Sequence, residues 1–291
     1  MEQELLILPF DHRSSFLKDI LGLSKNPDKK EEDKVKELKE IIFEGFLSAI
    51  KEERSKKNFG ILVDEKYGTE ILDKARKEKI KICLPVEESG KEELQLEYGK
   101  KFKEHIDKFR PDFVKILIRY NPLNTKTNKK QLKVLSEINR FCKKEKYKVI
   151  LELLVPPSKK ETDMKNYDKE IRYKRTIEAI KEIKTAINID IWKLEGFEKS
   201  QWKEIIDSVE KRDQIIFLGR GQDKKKVIKW LKAAAPFKEI IGFAIGRTTF
   251  LETLKKYNKG KISKEKAVKT IAGNFRYFVE LWRKEKIKTL S

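Results

Sequence analysis

The stretch IDIWKLEGFEKSQWKEIIDSVEKRDQIIFLGRG, residues 189–221, contains the repeating unit of the whole chain. It opens with an apolar run, IDIWKLEG (189–196), continues through an amphipathic segment at 199–211, and closes on a second apolar run, QIIFLGRG (214–221). Each run is short, rich in Ile, Leu and Phe, and lacks a helical stripe. That is the signature of a parallel strand covered on both faces. A strand, a helix and a strand in this order make a right-handed βαβ unit.

The same alternation extends to both ends. Apolar runs also stand at LLILPFD (5–11), FGILVD (59–64), KICLPVE (81–87), DFVKILIRY (112–120), KVILELLV (148–155) and IIGFAIGR (240–247). Segments with a 3.6-residue period lie at 32–57, 67–78, 91–109, 129–146, 168–187, 199–211, 223–234 and 263–286. Eight such units predict an α/β chain forming a single (β/α)8 TIM barrel over residues 1–291. That length suits the roughly 250 residues a barrel needs before insertions. No Gly-x-Gly-x-x-Gly follows the first run, which argues against an open dinucleotide-binding sheet. The least regular stretches, 23–31 and 155–167, do not divide the chain; the second follows the fifth run, where a barrel places active-site loops.

A formal net charge of +21 raises the question of a nucleic-acid partner. Its distribution argues against a specific one. In EEDKVKELKEIIFEGF (31–46) and KEIRYKRTIEAIKEIKTA (169–186) opposite charges lie three or four residues apart, as on a solvated, ion-paired helix surface. The two cysteines, Cys83 and Cys142, read as free thiols of a reducing cytoplasm. The apolar stretch near the N-terminus is too short for a signal-peptide core, and no run approaches the ~20 apolar residues of a membrane span. The expectation is a soluble, cytoplasmic protein with no membrane association, and a homo-oligomer is left open.

Polar residues inside apolar strands are the informative ones, because burying a lone charge costs several kcal/mol. Lys115 and Arg119 share one parity of the fourth run; Glu152 lies in the fifth, Lys193 and Glu195 in the sixth, and Asp11 ends the first. Two lysines and several carboxylates thus point to one interior. A lysine there, desolvated and beside another cation, is suited to Schiff-base formation with a ketone, and a carboxylate alongside can move protons. Lys115 and Lys193 are equal candidates on the pattern alone. A purely structural ion-pair network would look the same.

The seventh run ends in Gly219-Arg220-Gly221 and the eighth in Gly246-Arg247-Thr248. Loops after these two strands form the common phosphate site of barrels, where backbone N–H groups meet the anion and arginine adds a charge-assisted donor.

With these motifs in order, the chain resembles class I aldolases of the tagatose-bisphosphate aldolase group. It resembles more closely the aldolase-like domain fused to the 5-dehydro-2-deoxygluconokinase of myo-inositol catabolism. The residues carrying the likeness are Phe10-Asp11-His12-Arg13, Asp64-Glu65-Lys66-Tyr67-Gly68, Val114-Lys115, Leu151-Glu152-Leu153, Trp192-Lys193-Leu194-Glu195-Gly196, Gly219-Arg220-Gly221 and Gly242-Phe243-Ala244-Ile245-Gly246-Arg247-Thr248. The resemblance implies a cofactor-free, metal-independent lyase acting on a phosphorylated ketose or keto-sugar acid and releasing dihydroxyacetone phosphate. It implies Lys193 as the Schiff-base lysine, Glu152 as proton shuttle, Lys115 as the lysine that lowers the nucleophile's pKa, and Asp11 beside them. Substrate and phosphate would be held by His12, Arg13, Gly219, Arg220, Gly246 and Arg247. Asp-His-Arg replaces the usual Asp-Gln-Arg, and Leu-Glu-Gly follows Lys193 in place of a Val-Glu-Val-Pro-like run, which leaves the sugar itself open.

His12 reads either as an acid–base group or as a hydrogen-bonding residue shaping the mouth; His105, on a charged helix, reads as solvated. The scarcity of histidine argues against a catalytic metal built from Asp11, His12, Asp64 and Glu87. The alternative function is a sugar-phosphate-binding barrel that regulates without catalysis.

Overall fold

The computed structural model describes residues 4–23 and 27–288. Of the irregular stretch 23–31, residues 24–26 lie outside the described residues. Eight parallel strands close into a barrel in sequence order, β1 pairing with both β2 and β8. The chain is a single (β/α)8 barrel.

The strands and helices alternate as β1 (Leu5–Pro9), α1 (Lys29–Ala49), β2 (Phe59–Leu62), α2 (Glu65–Lys77), β3 (Lys81–Pro85), α3 (Phe102–Phe109), β4 (Phe113–Arg119) and α4 (Thr125–Glu145). They continue with β5 (Lys148–Leu154), α5 (Arg172–Lys184), β6 (Ile191–Glu195), α6 (Lys199–Ile206), β7 (Gln214–Leu218), α7 (Lys224–Ala234), β8 (Ile240–Ala244), α8 (Arg247–Asn258) and α9 (Lys264–Ile287). Each expected apolar run holds a strand.

The helices differ from expectation in places: α1 ends at Ala49, short of residue 57, and α6 at Ile206, short of residue 211. The segment 91–109 is helical only from Phe102, because Leu94 and Leu96 turn inward with a period of two. Their backbone forms a short antiparallel strap, with Glu88 N–H on Gln95 C=O and Glu97 N–H on Val86 C=O. Helix α8, unanticipated over its length, starts directly at Arg247 behind the eighth strand.

Pairing α1 against α9 closes the outer ring where the barrel itself closes. Asp28 and Glu31 form a capping box that starts α1. Its apolar face then packs Phe46 on Phe275 of α9, ring centroids 5.3 Å apart. Trp282 of α9 covers Phe217 of β7 and Phe243 of β8. Burial of each such side chain contributes about 1.5–3 kcal/mol.

Inside the barrel the strand period of two sets the layers. Leu5, Ile7, Leu62, Cys83, Phe113, Ile150, Ile191 and Ile216 join one apolar cluster that fills the floor. Two residues further along β4, β5 and β6 stand Lys115, Glu152 and Lys193. A dry floor thus underlies a charged layer.

The Asp64 motif is explained by the fold. Asp64 accepts the Tyr67 N–H and so caps α2, and its other oxygen accepts from the Lys39 ammonium of α1, both side chains being fully buried. Replacing Lys39 by Met should leave that carboxylate buried without its partner, a loss of about 3–5 kcal/mol. Urea unfolding of Lys39→Met against wild type measures it; a loss below about 1 kcal/mol would remove the pair from the fold's supports.

Candidate active site

The charged layer is organised around Lys115. Its ammonium donates to Asp11 Oδ2 at 2.9 Å and Glu87 Oε1 at 2.5 Å, and forms an ion pair with Glu152 Oε2 at 3.0 Å. Three carboxylates thus surround one ammonium and balance its charge. They come from the ends of β1, β3 and β5, which the parallel register brings to one height. Lys193 donates to the same Glu152 Oε2 at 2.8 Å, since Glu152 and Lys193 are register partners on neighbouring strands. Lys115 is 1% exposed, Lys193 4% and Glu152 8%, so all of this takes place out of bulk water.

Burial and charge oppose one another here. Burial works against the Asp11 carboxylate, but Lys115, His12 and Lys193 more than offset it and hold Asp11 well below the usual range. Glu152 is likewise held down, burial being overcome by Lys115 and Lys193. Burial also works against the Lys115 cation, yet Asp11, Glu152 and Glu87 raise its pKa well above the ordinary value. Lys115 is therefore a fixed cation. His12 goes the other way: burial lowers it to about 4 against the pull of Asp11, so it is neutral near pH 7. Its Nδ1 lies 3.9 Å from Asp11 Oδ1 and is buried without a hydrogen bond among the described residues.

These groups line a cavity of about 280 Å³ open at the C-terminal ends of the strands. All ten residues expected at the site reach its wall: Asp11, His12, Arg13, Lys115, Glu152, Lys193, Gly219, Arg220, Gly246 and Arg247. The floor is charged and the rim splits into two sides. Over β7 and β8 lie Gly219–Gly221, Gly246 and Arg247; over β1, β3 and β4 lie Ser14, Ser89, Gly90 and Arg119.

The glycines of the first side have physical reasons. A Cβ on Gly246 would meet the Pro9 carbonyl oxygen at 2.2 Å, and Gly221 adopts φ +67° with the Arg247 guanidinium where its Cβ would be. Arg247 itself opens α8, so its side chain and the first free N–H groups of that helix face one place.

Several expected residues have other partners. Arg13 donates to the Glu87 carbonyl at 2.6 Å and pairs with Glu97 at 2.9 Å, which ties the 87–97 strap to β1. Arg119 donates to the Lys91 carbonyl at the rim. Glu195, on the parity of Lys193, does not line the cavity; Arg220, Arg172 and the Val155 N–H take its oxygens. His105 is only partly solvated: it stacks on Tyr98 with centroids 3.5 Å apart and bonds Glu65 at 2.5 Å.

Glu87 is the residue of the charged layer that the pattern undervalued. Its parity with Cys83 and Pro85 was the available signal. Among the described residues no group of three His, Cys, Asp or Glu side chains is arranged to hold a metal ion. Instead the three carboxylates converge on the Lys115 ammonium.

The fold is similar to several solved structures. One is Cgl0159 from Corynebacterium glutamicum, 14% identical, covering 94% of this chain and 86% of that one at a TM-score of 0.61. Another is an archaeal fructose-1,6-bisphosphate aldolase with its catalytic Lys covalently bound to a carbinolamine intermediate, 12% identical, covering 94% of each chain at 0.57. A third is the fructose-bisphosphate aldolase of Slackia heliotrinireducens DSM 20476, 10% identical, covering 94% and 86% at 0.59. No curated protein matches by sequence. Residues 1–286 match a family model described as an uncharacterized protein conserved in bacteria, DUF2090.

The charged layer has a pH signature. Asp11 and Glu152 titrate below their ordinary 3.8 and 4.5 in the folded chain. Their contribution is complete above those values and is lost as pH falls through the depressed ones. That of Lys115 is complete below its ordinary 10.5. Lys115→Met should therefore lose about 3–5 kcal/mol at pH 7, and the gap to wild type should narrow as pH drops from about 5 to 3, where its orphaned carboxylates take up protons. Urea midpoints across that pH range test this; a gap independent of pH would refute it.

Proposed function

The chain belongs to the DUF2090 family, and we propose that it is a class I aldolase, a lyase that uses Lys193 as a Schiff-base nucleophile on a phosphorylated ketose or keto-sugar acid. The observation that carries this reading is the unequal bonding of the two interior lysines. Lys115 is enclosed by three carboxylates, donating to Asp11 and Glu87 and ion-paired with Glu152, whereas Lys193 has one carboxylate partner and faces the cavity. Lys193 is free to give up a proton to Glu152 and attack; Lys115 is not.

In this mechanism the neutral Lys193 amine adds to the substrate ketone and gives a carbinolamine. Loss of water then leaves an iminium. Glu152, one oxygen from Lys193, takes and returns the protons of these steps. The iminium withdraws the electrons of the carbon–carbon bond as the β-hydroxyl loses its proton, releasing an aldehyde and an enamine. Protonation of the enamine carbon and hydrolysis free dihydroxyacetone phosphate and the lysine. Lys115 keeps Glu152 ionised at the start of the cycle. Arg247 and the loops after β7 and β8 hold the phosphate.

The fold shared with aldolases, one of them carrying a carbinolamine on its lysine, supports this reading. So does the run of motifs resembling the tagatose-bisphosphate group and the kinase-fused aldolase domain of inositol catabolism.

Incubation with dihydroxyacetone phosphate and borohydride should give a stable adduct on Lys193, insensitive to EDTA. Lys193→Met should abolish adduct and turnover, while Glu152→Gln should lower turnover more than affinity, since a proton shuttle acts mainly in the transition state. Arg247→Ala should raise the half-saturating concentration of the phosphorylated ketone about 10- to 100-fold, as loss of a charge-assisted bond does. Phosphate binding with no adduct from any ketose phosphate would favour the regulatory, non-catalytic barrel.

A further inference from the structure

Arg220 lies on the wall of the proposed phosphate pocket, yet two of its guanidinium nitrogens are committed to carboxylates of the protein. Nε pairs with Glu195 Oε1 at 2.9 Å and Nη1 with Asp168 Oδ1 at 2.9 Å. Glu195 is buried at the end of β6, two residues beyond Lys193; Asp168 stands at the start of the turn leading into α5. The backbone of Arg220 is left-handed, φ +51°. Lys79, Arg110 and Lys146, the other non-glycine residues with positive φ among those described, all follow helix ends, where that conformation is ordinary. Arg220 follows a strand, so something must hold it there.

What depends on that conformation is the position of Arg247. The Arg220 carbonyl faces Arg247 Nη2 at 3.4 Å, and Gly221 lies directly beneath the same guanidinium. Rotating residue 220 back to negative φ would swing this carbonyl away and displace the loop from under Arg247.

We propose that Arg220 is a positioning residue: anchored by Glu195 and Asp168, it keeps residues 219–221 in the left-handed turn that presents Arg247 and the loop's N–H groups to the substrate phosphate, and its own guanidinium does not bind that phosphate. The inference rests on the phosphate assignment made above and names which of the two Gly-Arg pairs meets the anion with its side chain. It also gives Glu195 a role on the strand of the nucleophile.

Arg220→Ala and Arg220→Gly separate backbone from charge. Both remove the guanidinium, but only glycine adopts positive φ without a penalty. The half-saturating concentration for borohydride trapping is read with dihydroxyacetone phosphate and with unphosphorylated dihydroxyacetone. Binding of inorganic phosphate to the same proteins is read by calorimetry. Arg220→Ala should weaken both phosphate-bearing ligands about tenfold and Arg220→Gly less than threefold, with the maximal trapping rate and the dihydroxyacetone value equal between the two variants. Glu195→Gln should follow Arg220→Ala in a wild-type background and add little in Arg220→Gly. Equal losses in Ala and Gly would make the guanidinium a phosphate ligand and overturn the proposal, as would no loss in either. Absence of trapping in wild type with phosphate affinity still ordered Gly above Ala would remove the aldolase reading and leave the latch standing. Absence of phosphate binding in wild type would remove both.

Discussion

One oxygen of Glu152, shared by the ammonium groups of Lys193 and Lys115, is the contact on which the remainder of the site depends. It exists because β4, β5 and β6 run parallel with Glu152 in register beside Lys193, above an apolar floor that admits no water. In that setting an unpaired charge would be expensive, and each charge has therefore drawn in others until the layer is matched. Buried ion networks of this kind rarely raise stability over a well-packed apolar alternative. Their presence at the C-terminal face, where barrels carry their chemistry, argues for retention on functional grounds.

The matching is uneven. Lys115 is enclosed by three carboxylates and behaves as a resident cation. Lys193 holds one partner and faces the opening. Neutral His12, pressed against Asp11, lies at the edge of the same group with one ring nitrogen unbonded among the described residues. The fixed charges hold Glu152 ionised.

Around the rim, arginines serve mainly as ties between loops. Arg13 links β1 to the strap after β3, Arg220 links the β7 loop to β6 and the entry of α5, and Arg172 reaches Glu195 and the Gly196 carbonyl. Arg247 is less committed, with Asp19 at 3.9 Å as its carboxylate neighbour. The surplus positive charge of the chain is a separate matter. On the outer helices lysines pair locally, as Lys34 does with Glu37, Lys74 with Glu40 and Lys264 with Glu44. Exposed pairs of this sort contribute little stability.

The amino-acid sequence by itself determined the barrel, because alternation of buried strands and amphipathic helices is a local property of the chain. It also determined that Lys115, Glu152 and Lys193 point inward, since the strand period of two carries each of them over Phe113, Ile150 and Ile191. Its periodicity did not separate the two lysines, which only the family resemblance told apart, and it placed Glu195 with the interior carboxylates. Those questions turn on partners from distant strands, as with Lys115 and Asp11, 104 residues apart. Barrel closure alone sets which carboxylates meet which cation. The same holds for the strap that shortens α3 and for the left-handed Arg220: Leu94 packs where Gln131 of α4 receives its N–H, and Arg220 turns where Glu195 and Asp168 await it. Periodicity reports which face a residue shows, and only the closed barrel supplies the charge it faces.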